Sequence, residues 1–333
     1  MPESARSRRA VVVGAGIAGL AAAGALQRSG YRVQVFEKSR GVGGRAATRR
    51  EGPHQFDHGA QYFTCRSDAF AEQVAQWVAA GCVRPWTGRV IAMDKASSQP
   101  RESLHTRYVG VPGMNALAQA MAEGIECRFE TRVQGLRYTD DEWQLTIEGG
   151  ATCAADALVL TPPPAQSAAL LAAVSSPVRG GLAEVAMQPC WALMLAFDQP
   201  LEIACAAAYI DTDSPLAWCA RDTGKPGRAP GERWVVHARA DWSARNLELE
   251  PTVAARQLLA AFSEQFGVRS VPTLQRAHRW RYAQASKPLN TKSLYDADLR
   301  LALAGDWCAG SRIEGAWLSG CDAAVRITSG APV

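Results

Sequence analysis

The chain has 333 residues, of which 47% are hydrophobic, and a formal net charge of +4. This length suffices for one large or two medium domains with sizeable cores. The basic residues are scattered, which disfavours a nucleic-acid face or a membrane-surface helix. The nine cysteines form no CxxC pair and no metal-ligand spacing, so we expect free thiols in the reducing cytoplasm and no metal site.

The stretch RSRRAVVVGAGIAGLAAAGAL imitates a twin-arginine export signal or a membrane helix, because an uncharged run from Ala10 to Leu26 follows its basic start. A membrane helix needs about 18 or more apolar residues, and this run is shorter. An export signal accounts neither for the glycines nor for the strand pattern YRVQVFEK that follows. We therefore favour a folded βαβ unit over a targeting segment.

The same stretch predicts a strand, a helix and a second strand that ends at Glu37. Between the first strand and the helix, Gly14, Gly16 and Gly19 have the GxGxxG spacing of a dinucleotide-binding unit. In that order, these glycines permit a tight turn, the approach of the backbone to a pyrophosphate, and close packing of helix and strand. The surrounding strand, helix and acidic residue make the spacing far more specific than a lone GxGxxG.

The predicted cofactor contacts extend on both sides of the first helix. Its first N–H groups, at Ile17 and Ala18, are expected to face the phosphates. Glu37 is expected to accept hydrogen bonds from the ribose hydroxyls of an adenosine and to repel a 2′-phosphate. Lys38, the next residue, is included among the candidate cofactor-binding residues.

A second glycine-rich loop, EKSRGVGGRAAT, follows the ribose acid directly. Gly44 suits another close approach of the backbone to the pyrophosphate, and Arg45 suits charge-assisted hydrogen bonds to it. The alternative is a solvated glycine turn whose arginine faces water, and the loop by itself does not decide between the two.

The stretch LRLALAGDWCAGSRIEGAWLSG predicts a buried strand, a loop and a helix that begins near Glu314. Asp306, at the strand end, is placed to bind a ribityl or phosphate oxygen. The turn formed by Glu314, Gly315 and Ala316 opens a helix whose positive end would face the pyrimidine edge of a flavin. Three glycine-containing turns thus come from distant parts of the chain, as a cofactor as long as FAD requires.

These motifs resemble those of the flavin-dependent amine oxidase superfamily, and DHGAQYFT with GDWC is similar to the renalase family in particular. The resemblance runs through nearly the whole chain. It implies an α/β fold of the p-hydroxybenzoate hydroxylase type, with a Rossmann-type FAD-binding domain and a mixed-sheet substrate domain. The expected FAD domain comprises residues 1–64, 113–165 and 290–333, and the substrate domain residues 65–112 and 166–289.

The resemblance also assigns further contacts to FAD, which we expect to be noncovalent. It brings Gln61 and Tyr62 of DHGAQYFT to the flavin ring, with Gly59 allowing the backbone to approach, and it brings the backbone of Val133 to the adenine. Asp57 and His58 are less determined, since a capped turn with a satisfied carboxylate explains them as well as chemistry does.

The activity that the renalase family implies is oxidation of the 2- and 6-dihydro isomers of NAD(P)H. FAD takes a hydride, NAD(P)+ is released, and O2 is reduced to H2O2. Arg312 occupies a position where flavin monoamine oxidases carry an aromatic residue, and an arginine there disfavours a protonated amine. Arg312 and His237 are the catalytic candidates, although a sheet histidine bonded to a neighbour explains His237 equally well.

Three alternatives share these motifs: a flavin amine oxidase, a carotenoid-desaturase-like enzyme and a non-catalytic FAD-binding scaffold. An amine oxidase would need an aromatic cage, and a desaturase a long apolar tunnel. Elsewhere, the sequence predicts a helix in SDAFAEQVAQWVAAG with Phe70, Val74, Trp77 and Val78 on one face, and another helix in PTVAARQLLAAFSEQF. The stretch RDTGKPGRAPGE is interpreted as a surface loop from its composition.

Overall fold

A computed structural model describes residues 7–95, 97–101 and 103–330. The chain forms two compact units, the first comprising Met1–Gly44, Ala118–Met187 and Ala285–Val333, and the second Arg45–Leu117 and Gln188–Gln284. The predicted domains also alternate along the chain, but their boundaries lie at other residues. Residues 45–64, for example, belong to the second unit. The predicted segments also include residues 1–6 and 331–333, which lie outside the described part of the chain.

The strands are numbered in chain order. They are β1 Arg9–Val13, β2 Arg32–Phe36, β3 Arg49–Glu51, β4 His54–Phe56, β5 Val83–Pro85, β6 Val90–Asp94, β7 Ser98–Pro100, β8 Tyr108–Gly110, β9 Glu126–Arg128, β10 Val133–Thr139, β11 Glu142–Ile147, β12 Thr152–Ala155, β13 Ala157–Leu160, β14 Ala186–Phe197, β15 Ala207–Asp211, β16 Leu216–Arg221, β17 Glu232–Ala238, β18 Leu274–Lys287, β19 Leu294–Asp296 and β20 Leu301–Leu303.

The helices are numbered in the same way. They are α1 Ile17–Arg28, α2 Asp68–Ala79, α3 Ala116–Ala122, α4 Pro164–Leu170, α5 Val178–Ala183, α6 Ala240–Arg245, α7 Pro251–Phe266, α8 Asp306–Ala309 and α9 Ile313–Ser329, with short 3₁₀ turns at Gly44–Ala46 and Asp222–Gly224.

The first unit is built on a six-stranded sheet in the order β19-β20-β13-β1-β2-β9. The pairs of β1 with β2 and β13, of β13 with β20 and of β2 with β9 are parallel, and β19 is antiparallel at one edge. β1 is buried almost throughout, as expected for a central parallel strand with both faces covered. A three-stranded antiparallel sheet of β10, β11 and β12 contributes to the same core.

Helices α1 and α9 of the first unit approach each other closely. A Cβ on Gly320 of α9 would lie 2.1 Å from the carbonyl oxygen of Ala18 and 2.9 Å from the Cβ of Ala21, both on α1. Only glycine fits this crossing, because any side chain would have to push the two helices apart. The beginning and the end of the described chain are therefore packed together.

The second unit is built on a seven-stranded mixed sheet in the order β18-β14-β17-β16-β15-β6-β7. One face packs on α7 through its apolar core and is called the helix face; its cross-strand row consists of Leu193, Val236, Cys219, Ala208 and Ile91. The opposite face is called the histidine face; its row consists of Ala192, His237, Trp218, Tyr209 and Ala92. The predicted α/β class with a Rossmann-type sheet and a mixed sheet is confirmed.

One local interpretation is wrong. The stretch RDTGKPGRAPGE is not simply a surface loop, because Asp222 and Lys225 are buried and the side chain of Arg228 is only 1% exposed. Glycine, proline and charge favour the surface on average, but ion pairing can hold such residues inside.

Each helix within residues 7–95, 97–101 and 103–330 is too short or insufficiently apolar to cross a membrane.

Candidate functional site

The GxGxxG motif forms a strand-turn-helix in the first unit. Gly14 has a φ of +104° and donates its N–H to the carbonyl oxygen of Phe36 at 2.8 Å, which joins β1 to β2 at the turn. A Cβ on Gly19 would lie 1.9 Å from the carbonyl oxygen of Gly14. The tight turn and the close packing predicted for these two glycines are therefore features of the structure.

Glu37 holds this turn from the end of β2. Its buried carboxylate accepts hydrogen bonds from the backbone N–H of Ala15 and of Ser39, each at 2.8 Å and each to a different oxygen. A carboxylate oxygen has two lone pairs, so each oxygen can still accept one ribose hydroxyl. The predicted ribose contact is compatible with this arrangement, but the carboxylate also has a structural role that the sequence did not indicate.

The second glycine loop lies directly against the first. Gly43 donates its N–H to the carbonyl oxygen of Ala15 at 2.9 Å, and a Cβ on Gly44 would lie 3.5 Å from the Cα of Gly16. A Cβ on Gly16 itself would meet no atom within 4 Å. The space beside Gly16 is thus open while its neighbours are tightly packed.

The N-terminus of α1 borders this open space. Its N-cap, Gly16, makes no side-chain capping bond, and its first turn carries no acidic residue. The first N–H groups of a helix, here including Ile17 and Ala18, have no partner within the helix. An open space flanked by two glycine turns and an uncapped helix N-terminus fits the diphosphate of a dinucleotide.

Two other predicted contacts lie in the first unit. The ammonium of Lys38 is 3.4 Å from the amide oxygen of Gln166 on α4. Val133 is buried at the start of β10, where it pairs with Ile147 just before a break in register. The roles of Lys38 and Val133 toward a cofactor stay predictions.

The C-terminal motif forms a tight turn before α9. Asp306 is buried at the start of α8, and the preceding Gly305 donates its N–H to the hydroxyl of Ser319 at 2.9 Å. A Cβ on Gly315 would lie 2.1 Å from the carbonyl oxygen of Gly310. The helix predicted to begin near Glu314 begins one residue earlier, at Ile313.

Arg312 is the N-cap of α9 and is exposed. Its carbonyl oxygen accepts the N–H of Ala316 at 3.0 Å, while the buried Glu314 lies in the first turn. The guanidinium of Arg312 lies at the positive end of the helix dipole, and the carboxylate of Glu314 in the same turn offsets part of that positive charge.

Arg45 and the DHGAQYFT segment belong to the second unit. The guanidinium of Arg45 donates to the carbonyl oxygen of Ala283 on β18 at 3.0 Å, and its own carbonyl accepts the N–H of Ala60 at 2.8 Å. A Cβ on Gly59 would lie 2.0 Å from that carbonyl oxygen of Arg45. The close backbone approach that Gly59 permits within this unit is therefore that of Arg45.

Asp57 is the centre of a buried group of charges that we call the ion cluster, consisting of Asp57, Asp222, Lys225 and Arg228. Lys225 lies 3.4 Å from Asp57 Oδ2 and 2.8 Å from Asp222 Oδ1. Arg228 donates to Asp57 Oδ2, and all four side chains are at most 1% exposed. Asp57 Oδ1 also accepts from the Thr48 hydroxyl at 2.7 Å and the Met114 N–H at 2.8 Å.

The pKa values of the two carboxyl groups in the ion cluster are shifted in opposite directions. Burial alone would raise the pKa of Asp57, but Lys225, Arg228 and the hydrogen bonds to its oxygens lower it overall. For Asp222, burial is the largest influence and the neighbouring charge of Asp57 adds to it, so its pKa is raised. Asp57 is therefore the fixed anion around which the two cations are arranged.

Gln61 is tied to the ion cluster. Its amide nitrogen donates to the carbonyl oxygens of Asp57 and Gly59, and its amide oxygen accepts from Lys225 at 3.2 Å. Both N–H bonds are used, so the amide could serve a flavin only as an acceptor. The predicted contact of Gln61 with the ring is thereby restricted to one kind of hydrogen bond.

His58 is held between two aromatic residues and two strands. Its carbonyl oxygen lies 3.1 Å from His237 Nε2 and accepts the indole N–H of Trp280 at 3.0 Å. Its ring packs on His278 and Trp280, with ring centroids 4.8 Å away in both cases. The segment 57–62 is thus fixed across the histidine face of the sheet.

These histidines are all kept neutral at pH 7. Burial lowers the pKa of His58 to about 3, and burial lowers those of His237 and His278 to about 4. Nearby cations add to the effect: Arg49 for His58 and His278, and Lys225 for His237. Because a carbonyl oxygen only accepts, neutral His237 carries its proton on Nε2 and keeps a lone pair on Nδ1.

Tyr62 lies at the other end of the segment. Its hydroxyl is hydrogen-bonded to that of Tyr209, and its ring packs on Trp86 and Trp218 with centroids 6.1 and 5.8 Å away. The hydroxyl predicted to be near a flavin is therefore already paired within the second unit. Its role toward a cofactor stays a prediction.

Sequence reasoning missed the partners of this segment. Asp222, Lys225 and Arg228 were assigned to a surface loop, and no spacing rule links them to Asp57, which is 168 positions from Lys225. The sequence contains one indication of this cluster, Asp57 itself, because this carboxylate belongs to the family-specific segment DHGAQYFT. All nine cysteines are free thiols, and no group of three or more metal-ligating side chains is found in the described part of the chain.

Comparison with known families gives two matches. Residues 12–77 match the family described as NAD(P)-binding Rossmann-like domain. Residues 92–328 match the family described as flavin containing amine oxidoreductase. The second match covers more than half of the chain.

Two curated relatives match over short stretches. A zeta-carotene-forming phytoene desaturase of Myxococcus xanthus is 60% identical over 45 residues, which is 14% of this chain and 9% of the relative. A 1-hydroxycarotenoid 3,4-desaturase of Flavobacterium sp. (strain P99-3) is 46% identical over 57 residues, 17% of this chain and 12% of the relative. The matched part thus spans only about a tenth of the length of these relatives.

A solved structure matches over nearly the full length. Cyclohexylamine oxidase from Brevibacterium oxydans IH-35A superimposes with a TM-score of 0.76 at 14% identity, covering 97% of this chain and 99% of the other. At this identity the likeness shows the fold.

Proposed function

This chain belongs to the flavin containing amine oxidoreductase family, and from that premise we propose that it oxidises dihydro isomers of NAD(P)H. Membership makes it an FAD-dependent oxidoreductase, with FAD as its cofactor. The open diphosphate space beside Gly16 fits that cofactor. The substrates proposed are the 2- and 6-dihydro isomers, and the FAD is noncovalent.

The observation that carries the proposal is the histidine face. Its central polar group, His237, is neutral because burial lowers its pKa to about 4, and its Nε2 is bound to the carbonyl oxygen of His58. The remaining lone pair on Nδ1 can accept one N–H, such as that of a nicotinamide carboxamide. An uncharged acceptor suits a substrate ring that becomes a cation during the reaction.

Arg312 supports the same proposal. Flavin monoamine oxidases carry an aromatic residue at its position, whereas this chain presents an exposed guanidinium at the N-terminus of α9. This guanidinium disfavours a protonated amine and favours an anionic substrate. A dinucleotide carries such negative charge in its phosphates.

Bound FAD supplies the two-electron chemistry, so that the dihydro isomer, O2 and one proton give NAD(P)+ and H2O2. The protein's own contribution is to position the substrate, since the aromatic nicotinamide product forms without acid or base assistance. The dispersed free thiols suit a cytoplasmic location for this activity. No nucleic acid or membrane partner is part of the proposal.

The decisive experiment is anaerobic stopped-flow absorbance of the purified flavoprotein, mixed separately with 6-dihydroNAD, ordinary NADH and a panel of primary amines. We expect rapid loss of the oxidised flavin band with the dihydro isomer alone, reversed by air with release of H2O2. Reduction by an amine alone would return the chain to the amine oxidases. Retention of the oxidised band with every donor would indicate a non-catalytic FAD scaffold.

The role of His237 is tested by His237→Ala. We expect flavin reduction by 6-dihydroNAD to slow by about tenfold to a hundredfold, as for loss of one positioning hydrogen bond. The flavin content should stay equal to that of the unmodified protein. His237→Gln, which keeps a hydrogen-bonding amide, should recover part of the rate, and equal rates in all three proteins would remove His237 from the site.

A further inference from the structure

Two arginines cap the tyrosine pair at one end of the histidine face. The guanidinium carbon of Arg101 lies 4.2 Å from the ring centroid of Tyr209, and that of Arg107 lies 5.6 Å from the ring centroid of Tyr62. The two tyrosine hydroxyls are hydrogen-bonded to each other. We call these four residues the arginine-tyrosine cluster.

The two arginines are not ion-paired with any carboxylate in the part of the chain that the structure describes. Among the described residues, no carboxylate lies within ion-pair distance of Arg101 or Arg107. Arg107 donates one Nη2 bond to the carbonyl oxygen of Arg101 at 3.1 Å, while its Nε is buried with no hydrogen-bond partner in the described structure. By contrast, Arg279 and Arg281 of β18 share the carboxylate of Glu248.

The hydrogen-bond donors of the two arginines indicate which kind of ligand they would bind. A guanidinium presents donors in a planar fork that matches a phosphate or carboxylate, and here two guanidiniums lie over the rings of a hydrogen-bonded tyrosine pair. A cation–π contact with tyrosine holds each guanidinium near the ring without neutralising its charge. The cluster is therefore suited to an oxyanion with several acceptor oxygens.

We propose that the arginine-tyrosine cluster binds the phosphate groups of the dinucleotide substrate. This inference rests on the proposed function and extends it, because it identifies which residues select a phosphorylated substrate. It adds Arg101 and Arg107 to Arg312 as residues that recognise negative charge, and leaves to His237 the orientation of the nicotinamide ring.

Sheet register supports this division. His237, Trp218 and Tyr209 are directly paired on β17, β16 and β15, so they form one row on the histidine face. Neighbouring strands lie about 4.8 Å apart, which puts the Cα atoms of His237 and Tyr209 roughly 10 Å apart. The indole of Trp218 lies between them in this row and packs on the rings of Tyr62 and Tyr209.

The kinetic test compares two substrates, the 6-dihydro isomer of NAD and the 6-dihydro isomer of nicotinamide riboside, which has no phosphate. In Arg107→Gln we expect KM for the dinucleotide to rise about tenfold or more, as for loss of one charged hydrogen bond, with kcat nearly unchanged. KM for the riboside should not change. Arg107→Lys, which keeps the charge but not the fork, should recover part of the loss.

The control is Arg84→Gln, an exposed arginine on β5 of the same unit. It should leave KM for both substrates unchanged. An equal rise of KM for both substrates in Arg107→Gln would show a general structural effect and overturn the proposal, as would unchanged values for both.

A binding experiment separates this inference from the proposed function. Isothermal titration of the FAD-loaded protein with ADP and with inorganic pyrophosphate needs no turnover. We expect both ligands to bind to the unmodified protein and to Arg84→Gln, with affinity reduced about tenfold in Arg107→Gln and Arg101→Gln. Binding to all variants alike, or to none, would overturn the inference even if dihydroNAD proves to be the substrate; selective loss would retain the anion site even if it does not.

Discussion

The two units each carry a candidate site, and the two sites are built in opposite ways. In the first unit the site consists of backbone: glycines at 14, 16, 19 and 44 bring main-chain atoms together, and Glu37 holds the turn through two N–H groups. In the second unit it consists of side chains, with a buried ion cluster and neutral histidines across one sheet face. A site made of backbone atoms requires space that a side chain would fill. A site made of side chains requires particular protonation states and ion pairs.

Lower pH should affect the second unit most strongly. His58, His237 and His278 have pKa values lowered to between about 3 and 4, while in the unfolded chain they titrate near 6.5. The unfolded chain therefore binds more protons between pH 6.5 and 4, and stability falls as pH falls through that window. At pH 5 the loss is about 2 kcal/mol for each histidine.

Urea unfolding at pH 7.5, 6 and 5, followed by tryptophan fluorescence, measures this loss. His278→Phe removes one of the titrating groups and should flatten the dependence. A midpoint that does not change between pH 6.5 and 5 would contradict the assignment of these histidines as neutral.

Removing the central anion of the ion cluster should have the next largest effect. Asp57→Asn leaves Lys225 and Arg228 buried without their shared carboxylate, and breaking a buried ion pair on one side costs about 3–5 kcal/mol. The measurement is the free energy of unfolding at pH 7.5. Glu248→Gln is the matched control, because Glu248 pairs with two arginines at the surface and its removal should change stability little.

The stability of the first unit should depend on the volume of added side chains instead of on their charge. A Cβ on Gly19 meets the carbonyl oxygen of Gly14 at 1.9 Å, so Gly19→Ala should destabilise the protein by about 1–3 kcal/mol. A Cβ on Gly16 meets nothing within 4 Å, so Gly16→Ala should leave stability of the apoprotein unchanged but weaken FAD binding. Thermal unfolding with and without added FAD separates the two variants, and equal behaviour would contradict the predicted position of the diphosphate.

This difference between the two units also determines which of their features the sequence could predict. The GxGxxG turn is specified by residues close together in the sequence, so its spacing predicted the turn, the helix and the close packing correctly. Helix α2 was also predicted. Val78 was expected on the same face as the buried Trp77, but it is 39% exposed. Such an error arises because a helix advances 100° per residue and the edge of its buried face depends on what packs there.

The ion cluster could not be predicted from the sequence. Lys225 and Arg228 occur among glycines and prolines, a composition that favours a surface loop, and their partner Asp57 lies far away in the sequence. Only the fold shows that the charges neutralise one another. The arginine-tyrosine cluster is similar, since Arg101 and Arg107 become distinctive only when the fold shows that no carboxylate among the described residues pairs with them.

The contact of α1 with α9 has a consequence for biosynthesis. Ala18 and Ala21 leave the ribosome hundreds of residues before Gly320, against which they pack. A nascent chain can therefore form the glycine turn early but must expose the apolar side of α1 until α9 has been synthesised. We expect cofactor retention to be acquired only after α9 has left the ribosome and packed on α1.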